Sequence, residues 1–103
     1  MAHTLLPAPA DEVTIQQGAV VSKVVHRGDG LNLTVFALDA GEEISEHRAG
    51  RAAVVQVLSG RLAFTVDGEL LDLTAGSWLH MEAGTPHALS ANEPTVMLLT
   101  LFG

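Results

Sequence analysis

Residues 41–60 read GEEISEHRAGRAAVVQVLSG. The first half is charged, and the second half is an apolar run that ends on a glycine. His47 stands near the junction. A valine-rich run of this length, bounded by a turn residue, reads as a strand. The block therefore predicts a charged connection followed by a buried strand.

The same pattern continues on both sides. VTIQQ, AVVSKVVHR and LNLTVFAL precede the block. RLAFTV, ELLDL, SWLHM and TVMLLTLF follow it. Turn residues separate these runs: Gly28-Asp29-Gly30, Gly41, Gly60, Asp67-Gly68, Gly76 and Gly84-Thr85-Pro86. Short strands at near-regular spacing predict an all-β sandwich or barrel. Asp67-Gly68 is a two-residue hairpin signal, because both central positions need a positive φ. In RLAFTV, alternation places Leu62, Phe64 and Val66 on one face. No segment holds a 3.6-residue apolar period over ten residues, so little helix is expected. TVMLLTLF is apolar on both faces and must be covered twice. The expected second cover is another subunit of a homodimer, with the N-terminal arm as the alternative.

At 103 residues the chain is one domain, with residues 1–12 as a flexible N-terminal arm and residues 13–103 as a single barrel. Hydrophobic residues make up 48% of it, which excludes a disordered chain. Aromatics are only 4%, so Val, Leu and Ala must fill the core. There is no cysteine, which removes a thiol nucleophile, a disulfide framework and a zinc finger together. A formal net charge of −7 argues against nucleic acid and anionic membrane surfaces as partners. No apolar run approaches a spanning helix, and the start MAHTLLPAPADEV lacks the basic region of a signal peptide. A cytoplasmic location is expected.

Five histidines carry the possible chemistry: His3, His26, His47, His80 and His87. His3 falls in the arm and His26 near a turn, where both read as solvated. The other three lie beside glycine-punctuated strands. Here the chain resembles a small single-domain cupin, a double-stranded β-helix barrel of jelly-roll type. The first cupin motif runs Gly, five residues, His, one residue, His, three or four residues, Glu, six residues, Gly. Gly41, His47 and Gly60 match it. The second runs Gly, five residues, Pro, one residue, Gly, two residues, His, three residues, Asn. Gly76, Gly84 and His87 match it.

The departures fall on the ligands. The family's second histidine corresponds to Ala49 and its glutamate to Ala53. The proline and asparagine positions hold Glu82 and Ala91. Of the four positions that bind metal in metal-dependent cupins, the resemblance leaves His47 and His87. A third ligand would have to come from His80 or Glu82, which share one face of SWLHM and its extension. With Glu82 this would be a two-histidine, one-carboxylate set suited to iron(II). Leu79 and Met81 occupy the opposite face, and apolar residues usually claim the interior.

Two functions follow. In the first, Ala49 and Ala53 leave an apolar barrel pocket for a small organic ligand. Val55, Val57 and Phe64 are its expected walls, and the indole of Trp78 suits a half-buried rim, with core packing or an interface as the alternative. In the second, His47, His87 and His80 or Glu82 hold one divalent ion (Fe, Mn, Ni, Cu or Zn) at weak or partial occupancy, for dioxygenase- or isomerase-type chemistry. A dimeric barrel with incidental histidines is the third, structural alternative.

Overall fold

The computed structural model describes residues 2–103. Among the described residues there are nine strands: β1 (Val20–Gly28), β2 (Leu31–Leu38), β3 (Glu43–Arg48), β4 (Ala53–Ser59), β5 (Arg61–Val66), β6 (Glu69–Thr74), β7 (Trp78–Met81), β8 (Pro86–Ala91) and β9 (Thr95–Phe102). One 3-10 turn, Pro9–Glu12, precedes them. No helix among the described residues is long and apolar enough to cross a membrane.

The strands form two antiparallel sheets. The five-stranded sheet has the order β1-β2-β9-β4-β7, and the four-stranded sheet has the order β3-β8-β5-β6. The chain changes sheet between β2 and β3, β3 and β4, β4 and β5, β6 and β7, β7 and β8, and β8 and β9. Gly41, Gly60, Gly76 and Gly84 each sit at one of these crossings with a positive φ. The corners are also tied by hydrogen bonds: Gly41 N–H donates to the Ala91 carbonyl at 2.9 Å, and Gly76 N–H to that of Val57 at 2.8 Å. The spacing of the glycines is thus the spacing of the corners, which is why it predicts the barrel. Asp67 and Gly68 form the expected hairpin turn, with φ values of 49° and 83°.

Alternation sorts the side chains into two layers. Leu38, Ala53, Val55, Val57, Leu62, Phe64 and their neighbours meet between the sheets as the main core. Gln56 lies on the outer face of β4, opposite Trp78 and Leu98, as expected if Ala53 faces inward. A second apolar cluster, Val35, Ala37, Val96 and Leu98, lies on the outer face of the five-stranded sheet. Ala10, Val13 and Ile15 of the N-terminal segment pack on it. Lys23 ties this segment down through a 2.9 Å ion pair with Glu12. The two-faced apolarity of β9 therefore has a cover within the chain itself.

Three expectations need correction. VTIQQ is not a strand: Val13 and Ile15 pack as alternate apolar residues without a ladder. The charged connection expected ahead of β4 contains a strand, β3, most of whose residues stay exposed. Pro86 opens β8, where His87, Leu89 and Ala91 alternate inward.

Candidate functional site at the barrel mouth

His47 and His87 are directly opposite each other in the β3–β8 ladder. Plain alternation from Ile44, which packs on the core, would turn His47 outward. A register shift between Ile44 and His47 corrects this. Such a bulge places one extra residue in β3 and re-aims the side chain that follows it. The result is an edge-to-face imidazole pair with ring centroids 4.1 Å apart and an interplanar angle of 61°.

The two rings have different surroundings. His87 is 6% exposed. It stacks on Phe64, with centroids 6.0 Å apart and planes 10° from parallel. His47 is exposed to solvent. Both rings are held the same way. Nδ1 of His47 bonds the Ser45 carbonyl at 2.9 Å, and Nδ1 of His87 bonds the Thr85 carbonyl at 2.9 Å. A carbonyl oxygen only accepts, so each Nδ1 carries the hydrogen. In the neutral ring this leaves the lone pair on Nε2. The pair thus offers two preset acceptors at the open end of the core.

The surrounding loops are also tied. Arg48 donates to the Gly84 carbonyl at 3.1 Å, and Gly84 N–H donates to the Ala49 carbonyl at 2.7 Å. Arg48 therefore joins the two motif loops. Thr85 donates its hydroxyl to the Glu82 carbonyl at 2.7 Å, which tightens the turn before His87.

The remaining expected site residues divide. Val55, Val57 and Phe64 are at most 2% exposed and belong to the packed core between the sheets, and of the three Phe64 stacks on His87. His80 does not join the site. Leu79 and Met81 take the core side of β7, and His80 is exposed, stacked beside Trp78 with centroids 6.3 Å apart. Trp78 is 63% exposed on the outer face, away from the His47–His87 pair. Apolar residues winning the interior explains both displacements. Glu82 is exposed in the turn after β7. Phe64 has a part beyond that of an expected wall. It supports His87 directly, and its inward alternation was the available signal.

The donor set can be tested against a resident metal. Ala49 and Ala53 have no ligating atom. No group of three or more His, Cys, Asp or Glu among the described residues is placed to hold an ion. A firmly held ion usually needs at least three protein ligands. Two imidazoles do not meet that requirement, so the residues do not fit the metal of metal-dependent cupins.

Comparison with known proteins agrees with the fold. The family model for the cupin domain matches residues 34–102. A protein of unknown function from Streptococcus pyogenes is 36% identical, with a TM-score of 0.86 over 99% of this chain and 90% of that one. A cupin 2 conserved barrel domain protein from Leptotrichia buccalis is 33% identical, with a TM-score of 0.85 over 91% of this chain and 46% of that one. A cupin superfamily protein from Desulfitobacterium hafniense shares the fold at 22% identity, with a TM-score of 0.86 over 99% of this chain and 93% of that one. No curated protein matches the chain at a significant level. The family model spans both motifs and the strands around them, and the chain belongs to the cupin family.

Proposed function

We propose that this cupin binds a small organic molecule at the barrel mouth, and that His47 and His87 are its recognition pair. The observation that carries this reading is the shared tethering of both Nδ1 atoms to backbone carbonyls. It leaves two Nε2 acceptors on rings 4.1 Å apart. A ligand with two neighbouring hydrogen-bond donors, such as hydroxyl or N–H groups, suits that pair. The apolar core around Phe64 suits a compact apolar body. Alanine at positions 49 and 53 supports the reading, since it removes the ligands of a resident ion and narrows the polar area.

A titration tests it. The ring signals of His47 and His87 are followed by NMR against a panel of small diols, hydroxy acids and amides. A true ligand shifts both ring signals saturably. At about 100 times its Kd it also stabilises the fold by about 2.7 kcal/mol. A panel whose binders all shift other residues, and bind His87→Ala as well as wild type, removes the reading.

A further inference from the structure

We propose a second small-molecule site, on the outer face of the five-stranded sheet, that takes a primary amine with an apolar body. It is separate from the His47–His87 pair and does not depend on it.

The site begins with another bulge. The β1–β2 register shifts between Val24 and His26. Val25 packs on the outer apolar cluster, and His26 is opposite Leu33, which packs on the same cluster. Two successive side chains thus share one face, which an unbroken strand does not allow. The bulge in β1 brings His26 to the outer face much as the bulge in β3 brings His47 to the inner one.

His26 there lines a cavity of about 410 Å³. Leu31 and Leu33 form its sheet wall, and Leu6 and Pro9 of the N-terminal segment form the opposite wall. Its polar lining is Thr4, His26 and Asp29. Asp29 sits in the β1–β2 turn with a φ of 53°, a conformation that Asp tolerates better than most residues. The two ion pairs among the described residues, Lys23–Glu12 and Arg61–Asp72, involve neither Asp29 nor His26.

Charge selects the ligand class. The lining has a carboxylate and no Lys or Arg. The whole chain carries −7. An anionic ligand is repelled, and an ammonium group is attracted. The ammonium donates to the Asp29 carboxylate, with the Thr4 hydroxyl as a further acceptor. The leucine and proline walls take the body. The volume lies near the small end of ligand pockets, which run from about 300 to 1,000 Å³. One ring or a short alkyl chain is the fitting size.

The test is a nitrogen-15 NMR titration of the full-length chain with three probes that share a phenethyl body: 2-phenylethylamine, 2-phenylethanol and 3-phenylpropionate. The amine is expected to shift the amides of His26, Asp29, Leu31 and Leu33 saturably. The alcohol should bind about fivefold more weakly, the worth of one exposed charge contact, and the acid weaker still. Asp29→Asn keeps the turn and should reduce amine binding to the level of the alcohol, with a spectrum otherwise like wild type. Equal binding of all three probes overturns the proposal. So does the absence of saturation by about 10 mM amine, far weaker than a built site gives. Shifts centred on His47 and His87 overturn it as well. If the same amides move with protein concentration alone, a second copy of the chain occupies the cavity and the amine site is wrong.

Discussion

Gly60→Ala is expected to destabilise the fold by about 4 kcal/mol, the sum of an overpacked contact and a strained φ. Gly60 sits where the chain leaves β4 in one sheet and enters β5 in the other. Its φ is 92°. A Cβ there would collide with the Thr95 side chain, and would lie 2.5 Å from the Pro94 carbonyl oxygen and 2.7 Å from the Thr95 Cα. These neighbours cannot give way cheaply. Thr95 is fully buried, and its hydroxyl accepts from Arg61 N–H at 3.0 Å. Gly76 is the control. Its φ is also 92°, but an added Cβ meets open space. Gly76→Ala should therefore cost about 1–2 kcal/mol, from conformation alone. Urea unfolding of both variants checks the difference. Equal losses would mean that conformation, and not the close approach to Thr95, fixes Gly60.

The two histidines should separate stability from binding. His87→Ala removes a buried ring from the face of Phe64 and should cost about 2–3 kcal/mol, as large-to-small changes in a core do. It should also abolish ligand binding at the mouth. His47→Ala removes an exposed ring and should cost less than about 1 kcal/mol. Its loss of ligand binding should nonetheless match that of His87→Ala, because both acceptors engage the ligand. Thermal unfolding and the NMR titration measure the two effects on the same samples. A His47→Ala protein that binds like wild type would reduce the pair to His87 alone.

The fold was legible because its corners are glycines. Seven of the eight apolar runs read from the sequence are strands, and the family spacing follows the sheet crossings. The two strands that escaped notice have little apolar content. In EISEHR only Ile44 is even partly buried, so β3 carries almost no hydrophobic signal. In PHALSA the inward positions are His87, Leu89 and Ala91, a pattern with one strongly apolar member. VTIQQ misled for the opposite reason. Its alternation reports a buried face, and a buried face does not require a ladder.

The site was half legible. The resemblance to the cupin motifs singled out His47 and His87, and the structure sets them ring against ring. What brings them together is a bulge, and a bulge leaves no mark in the residues around it. His80 was drawn in by its residue type, whereas its neighbours Leu79 and Met81 decided its direction. The same blindness to bulges left His26 as a surface residue, although it lines a cavity.

We propose that the mouth of this cupin recognises its ligand with two imidazoles and without a resident metal, and metal stoichiometry checks this. The chain is purified without a His-tag, reconstituted with Fe(II), Mn(II) or Zn(II), passed through a desalting column and assayed by mass spectrometry. The same is done for His87→Ala. Two histidines without a third ligand predict metal far below one ion per chain for both proteins. Near-equimolar metal in wild type, lost in His87→Ala, would contradict the account.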